Sequence, residues 1–149
     1  MNSLKKNIVK IPDSSEGNFV IKYFPNWSIP YLHLSRADRP TGTWLLLLPC
    51  LFGILLACIE KNNFSISFYE IWLLIACSIG AFLMRGAGCT WNDILDKDYD
   101  AKVKRTQNRP IPSGQVTIRR AIYWMIVQSL LAFIILLTFN KFSILVACL

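Results

Sequence analysis

Three long stretches without charge constrain this chain more than any other feature of its sequence. They are Pro40–Ile59, Ile71–Trp91 and Ala121–Asn140, and only the second is interrupted, by Arg85. The first and third contain 20 residues each, and about 20 apolar residues cross a bilayer core as a helix. A soluble protein with three central core helices is the alternative, but 149 residues offer too little polar surface to cover them. The sequence therefore predicts an all-α, multi-span transmembrane helical bundle.

The rest of the chain is organised around these stretches. Residues 1–30 are predicted to form an N-terminal tail. Residues 31–149 are predicted to form a membrane domain with spans at about 41–59, 71–92 and 119–140. A fourth apolar segment begins at about residue 142 and stops after eight residues. A segment cut off so early suggests a fragment of a longer protein or the product of an interrupted gene.

The net charge of +7 follows the pattern of a membrane protein. Six Lys and Arg residues precede Pro40, and seven more lie between Lys97 and Arg120. Lys61 is the one cation between the first two spans, and Lys141 is the one cation after the third. Because cytoplasmic loops of membrane proteins are enriched in Lys and Arg, the N-terminus and the 93–120 loop are predicted to be cytoplasmic. This arrangement explains the basic charge without a nucleic-acid partner.

A dense group of acids and bases, WNDILDKDYDAKVKRTQNRPIPSG (91–114), follows the second span. If the helix continues through this segment at about 100° per residue, five side chains fall within one arc of about 100°, whereas Asp98 lies opposite. These five are Asn92, Asp93, Asp96, Asp100 and Arg85. An isolated cation within a span is costly, so Arg85 is expected to face a polar cavity; a structural salt bridge is its alternative.

Three carboxylates on one helix face repel each other unless a cation lies among them. Mg²⁺ prefers oxygen ligands and typically binds one or two carboxylates together with phosphate oxygens. Asp93, Asp96 and Asp100 are therefore the predicted metal ligands. The cations that follow within nine residues suit the phosphate groups that such a metal carries: Lys102, Lys104, Arg105 and Arg109.

Three other interpretations of this segment agree less well with its residues. An EF-hand loop starting at Asp96 fails, because Ala101 replaces the required Gly and Gln107 replaces the required Glu. A solvated loop without a ligand leaves the helical spacing of the acids and the position of Arg85 unexplained. An ion channel or transporter subunit would use the acids as a selectivity ring, but it gives no role to RTQNRPIPSG (105–114).

Three segments resemble the UbiA-type intramembrane prenyltransferases: RADRPTGTWLLLLP (36–49), FLMRGAGCTWNDILDKDYD (82–100) and VKRTQNRPIPSGQVT (103–117). The resemblance is greatest to the branch that transfers a polyprenyl group to 4-hydroxybenzoate in ubiquinone biosynthesis, although haem O synthase-like members share the Asp-rich core. It implies a Mg²⁺-dependent enzyme of a bacterial inner membrane, with a polyprenyl diphosphate and an aromatic acceptor as substrates. By position, Asn92, Asp93, Asp96 and Asp100 match the family's first Asp-rich motif.

The resemblance also implies roles for basic residues. Arg105 and Arg109 match cations of the family's RTxxRP loop, where contact with diphosphate is expected. Arg39, or alternatively Arg36, is the candidate for binding the carboxylate of the acceptor.

The chain departs from the family in one respect. Members have about nine membrane helices and a second Asp-rich motif, whereas this sequence has three complete spans and no such motif. A separately encoded C-terminal half would complete the enzyme. The alternatives are an inactive truncated relative and a non-catalytic membrane subunit.

Overall fold

The computed structural model describes residues 19–60 and 67–148, and the predictions for residues 1–18, 61–66 and 149 lie outside these ranges. Within them every regular element is a helix. The helices are α1 (Phe19–Tyr23), α2 (Ile29–Leu34), α3 (Thr41–Glu60), α4 (Phe68–Leu95), α5 (Lys97–Asp100), α6 (Ile118–Leu136) and α7 (Lys141–Cys148).

Helices α3, α4 and α6 are long and apolar enough to cross a membrane. Only 11%, 22% and 17% of their most apolar windows are buried within the protein. Because exposed apolar side chains on this scale are unfavourable in water, the exposed surfaces of these helices suit lipid. The prediction of an all-helical integral membrane protein is confirmed.

The helix boundaries follow local hydrogen bonding more closely than hydropathy. Helix α4 continues to Leu95, beyond the uncharged stretch, because backbone bonds close each turn whether its side chains are apolar or charged. Helix α6 ends at Leu136, within an uncharged stretch. There the backbone N–H groups of Thr138 and Phe139 bond to carbonyls three residues earlier, as in a tightened last turn.

Backbone contacts divide the chain into two units. The first combines the segment up to Arg39 with residues 86–126, and it has a small apolar core made by α2, the loop after α5 and the start of α6. Its buried residues are Leu34, Ile111, Val116 and Ala121. At its edge the ring centroids of Tyr31 and Trp124 lie 5.5 Å apart, within the range of a favourable aromatic pair.

The second unit combines residues 40–85 with 127–149 and contains α3, the first part of α4, the last part of α6 and α7. Trp72 Nε1 donates a hydrogen bond of 2.9 Å to Thr138 Oγ1 and joins the start of α4 to the segment after α6. Near the start of α3, Gly42 lies directly against the guanidinium of Arg85, where a Cβ atom would overlap it. Glycine at this position lets the Arg85 side chain lie across α3.

Candidate functional site

The acidic segment is divided by a local break in the helix. Helix α4 ends at Leu95 and α5 begins at Lys97, with Asp96 between them at a ψ of 3° instead of the helical value of about −42°. The backbone N–H groups of Asp96 and Asp100 still bond to carbonyls four residues earlier. The chain therefore continues in the same direction, but the side chains no longer follow ideal helical spacing.

Asp93 is the most deeply buried acid of the segment, with a side chain 3% exposed. Its Oδ1 accepts a hydrogen bond of 2.8 Å from Arg36 Nη2 and one of 3.4 Å from Arg109 Nη1. Both donors are largely buried themselves, Arg36 at 16% and Arg109 at 15% exposed. Water therefore screens these charges only weakly, and each ion pair is stronger than it would be on the surface.

Asp100 joins the same group through Arg109, whose Nη1 donates a 2.7 Å hydrogen bond to Asp100 Oδ2. The loop after α5 holds Arg109 in place. Thr106 is buried, and its Oγ1 donates to the carbonyl of Asp100 at 3.0 Å, while the N–H of Arg109 bonds to the carbonyl of Thr106 at 2.9 Å. We call Arg36, Asp93, Asp100 and Arg109 the ion-pair cluster. Its two carboxylates and two guanidiniums balance in charge.

One oxygen of the ion-pair cluster is left free. Asp93 Oδ2 is buried, and no group in the described part of the chain forms a hydrogen bond with it. A buried carboxylate oxygen without a partner is costly and calls for an explanation such as an ion. A hard divalent ion held by one or two carboxylates fits Asp93 and Asp100. Three acidic, His or Cys side chains placed to share one ion are found nowhere in residues 19–60 and 67–148.

The structure brings some of the predicted site residues together and leaves others apart. Asp93, Asp100 and Arg109 form one cluster, whereas Asn92, Asp96, Lys104 and Arg105 are exposed. The metal set of Asp93, Asp96 and Asp100 therefore stays a prediction, with Asp96 outside the buried group. Arg85 belongs to the second unit, where it lies against Gly42.

The contact of Arg36 with Asp93 is the feature of the site that the sequence indicates least. The sequence offers Arg39, or alternatively Arg36, for the carboxylate of the acceptor, and this stays a prediction. In the structure Arg39 Nε bonds Asp38 Oδ2 at 3.2 Å, and Arg36 reaches Asp93. Arg36 adopts a φ of 52°, the one positive φ of a non-glycine residue in the described ranges. Neither this conformation nor a contact across 57 positions is visible in a local pattern. The sequence shows only that Arg36 is a cation close to the start of an uncharged stretch.

His33 lies beside this cluster, in the turn of chain before Arg36. Its side chain is 6% exposed, and Nδ1 lies 3.9 Å from Asp38 Oδ2. Burial lowers the pKa of His33 from its usual 6.5; the Asp38 charge opposes this effect, and the charges of Arg39 and Arg36 add to it. The fold therefore favours a neutral imidazole.

Proteins of known activity resemble this chain over most of its length. The mitochondrial 4-hydroxybenzoate polyprenyltransferase of Homo sapiens is 47% identical over 77% of the chain and 30% of that protein. The Dictyostelium discoideum protein of the same name is 41% identical over 89% of the chain and 28% of its own length. The 4-hydroxybenzoate octaprenyltransferase of Tolumonas auensis is 41% identical over 77% of the chain and 38% of that protein. The chain thus spans about a third of the length of these relatives.

No solved structure matches this chain. The profile of the UbiA prenyltransferase family matches residues 46–149, which include α4, α5, the loop that carries Arg109 and α6. Two of the three segments that suggested the resemblance lie wholly within this range, and the third overlaps its start. The chain belongs to the UbiA prenyltransferase family.

Proposed function

We propose that this chain carries the diphosphate-binding part of an enzyme that transfers a polyprenyl group from an isoprenoid diphosphate to an aromatic acceptor. The acceptor we propose is 4-hydroxybenzoate, as the names of the relatives suggest. The observation that supports this most directly is the buried Asp93 carboxylate, with one oxygen free and with Asp100 beside it. The proposed setting is a bacterial inner membrane, with the ion-pair cluster on the cytoplasmic side.

In the proposed reaction the bond between the allylic carbon and the diphosphate oxygen breaks, and the diphosphate leaves with the electron pair. A ring carbon of the acceptor bonds to the allylic cation, and the ring then loses its proton. A bound Mg²⁺ would supply charge neutralisation for the departing diphosphate. Asp93 and Asp100 would hold this ion, with Asp96 as the further ligand that the sequence predicts.

The basic residues of the loop would bind the phosphate oxygens that the metal leaves uncovered. Lys104 and Arg105 are exposed and form no ion pair with an acid in the described part of the chain, whereas Arg109 already contacts Asp93 and Asp100. Charge-assisted hydrogen bonds from guanidinium groups suit diphosphate oxygens. Asn92 and Arg39 are proposed to bind substrate by resemblance to the family, and Arg85 because a cation within a span usually lines a polar cavity.

Asp93→Asn tests the proposed metal and diphosphate site. The variant keeps the size of the side chain but removes the charge that would bind the ion. We expect Mg²⁺-dependent binding of an isoprenoid diphosphate to the full chain in nanodiscs to fall by at least about tenfold. Asp98→Asn is the matched control, because it removes the same charge from an exposed position on α5. Equal binding by both variants would contradict the proposal.

Prenyl transfer is best measured in two arrangements, because the chain spans 28–38% of the three relatives described above. Membranes containing the chain alone are compared with membranes that also contain the remaining two thirds of a relative, given radiolabelled prenyl diphosphate and 4-hydroxybenzoate. We expect transfer in the second arrangement and its loss with Asp93→Asn.

A non-catalytic membrane subunit is the second candidate. The observation in its favour is that Arg36 and Arg109 already neutralise Asp93 and Asp100, as in a structural ion-pair network. A subunit of this kind would bind neither Mg²⁺ nor diphosphate through Asp93. The binding measurement on Asp93→Asn and Asp98→Asn therefore separates the two candidates.

A further inference from the structure

Arg36 holds the carboxylate that the proposed function assigns to a metal ion. Its Nη2 lies 2.8 Å from Asp93 Oδ1, and Arg109 Nη1 approaches the same oxygen at 3.4 Å. Asp93 Oδ2 has no hydrogen-bond partner in the described part of the chain. Two cations therefore share one oxygen of Asp93 while the other oxygen remains available.

The backbone of Arg36 is held in place by the turn that ends α2. Its φ of 52° lies in the left-handed region, which costs free energy for a residue that carries a Cβ atom. Neighbouring bonds fix the turn. The N–H of Arg36 bonds to the carbonyl of His33 at 3.1 Å, and Ser35 Oγ accepts a 2.8 Å hydrogen bond from Trp124 Nε1. The N–H of Ala37 also bonds to the carbonyl of Leu32 at 3.0 Å, so this conformation is the turn that ends α2, and it fixes where the Arg36 side chain begins.

The two arginines differ in what they would keep if a cation bound to Asp93. Arg109 also bonds Asp100 at 2.7 Å, its shorter contact, whereas the acid contact of Arg36 is with Asp93. A divalent ion on Asp93 would repel both guanidiniums. Arg36 is the one that a single broken contact releases.

We propose that Arg36 is a counter-ion latch that neutralises Asp93 in the ion-free protein and is displaced when a divalent ion binds there. The proposal rests on the proposed function, in which Asp93 is an ion ligand. In addition, the contact between Arg36 and Asp93 stabilises the ion-free protein and lowers its affinity for the ion. The ion and the Arg36 guanidinium then compete for the charge of Asp93, so each weakens the binding of the other by the same factor.

The test is Mg²⁺ titration of the full chain in nanodiscs, by calorimetry, for the wild type and for Arg36→Gln. We expect the variant to bind Mg²⁺ about tenfold more tightly, which corresponds to one ion-pair interaction of about 1.4 kcal/mol. We also expect it to unfold at a lower temperature than the wild type when Mg²⁺ is absent. Arg120→Gln is the matched control, because it removes the same charge from an exposed position of the same unit.

The outcomes separate the latch from other roles of Arg36. Weaker or unchanged Mg²⁺ binding by Arg36→Gln, with normal binding by the wild type, would overturn the latch and leave the proposed ion site intact. Absence of Mg²⁺ binding by the wild type would overturn both the ion site and the latch. Equal tightening by Arg120→Gln would show a general charge effect and would also overturn the latch.

A second measurement avoids the variant altogether, in case Arg36→Gln does not fold. Phenylglyoxal modifies accessible guanidinium groups, and peptide mass spectrometry reports the rate at each arginine. In the wild-type chain we expect Mg²⁺ to raise the rate at Arg36 several-fold and to leave the rate at Arg120 unchanged. An identical Arg36 rate with and without Mg²⁺ would refute the latch.

Discussion

Protonation of His33 is linked to the stability of the fold. Above pH 6.5, its usual pKa, the imidazole is neutral in both the folded and the unfolded chain. When the pH falls below this value the unfolded chain binds a proton, whereas the folded chain resists it because burial lowers the pKa of His33. The free energy of unfolding therefore decreases as the pH falls from 6.5 to the lowered pKa, and below that pKa the decrease stops.

This linkage predicts a pH-dependent difference between the wild type and His33→Gln. The chain contains one histidine, so the variant removes the one histidine contribution to the profile. We expect the wild type to lose more stability than the variant between about pH 7.5 and about pH 5.5, a range in which carboxylates with ordinary pKa values stay ionised. The unfolding temperatures of the two proteins in detergent micelles, measured across this pH range, give the difference in stability. Parallel profiles for the two proteins would show that His33 does not contribute.

At the scale of single residues, the sequence groups three side chains that the structure also brings together, and their roles in binding stay predictions. Asp93, Asp100 and Arg109 were identified from charge and spacing, and the structure places them within hydrogen-bonding distance. Asp96 was projected onto the same face by ideal helical geometry, and its ψ of 3° breaks that geometry. The role of Arg36 depends on a positive φ, which hydropathy and helical periodicity do not indicate.

At the scale of elements, the loop after α5 determines where Arg109 lies. Gly114 turns the chain at a φ of 76°, a conformation that suits glycine. Val116 is then buried with Leu34 of α2 and Ala121 of α6. The sequence NRPIPSG indicated a turn but not this packing, because the partners of Val116 lie on helices from distant parts of the chain.

Val116→Ala tests whether this packing supports the site. Val116 is 2% exposed, and removing two buried carbon atoms costs about 2 kcal/mol of stability. We expect a lower unfolding temperature and weaker Mg²⁺-dependent diphosphate binding, because the loop that carries Arg109 loosens. Val103→Ala is the matched control in the same loop, since Val103 is 49% exposed. Equal losses of diphosphate binding in both variants would show that the packing of Val116 does not support the site.

At the scale of the whole molecule, hydropathy and charge predict different properties. The three membrane-spanning helices followed from hydropathy alone, because the length of an apolar helix is set by the bilayer and not by its neighbours. Orientation depends instead on the seven cations between Lys97 and Arg120 and on their scarcity between α3 and α4. The fold is compatible with either orientation, so orientation stays a prediction of the charge pattern.

Cysteine labelling tests this orientation. Gln107 and Ser67 are exposed, one in the loop after α5 and the other just before α4. In a background without the five native cysteines, we expect Gln107→Cys to react with a membrane-impermeant maleimide only in inside-out vesicles, and Ser67→Cys only in right-side-out vesicles. One crossing by α4 separates the two positions. Labelling of both from one side would mean that α4 does not cross, whereas the reverse pattern would keep the crossing and place the ion-pair cluster on the outer face.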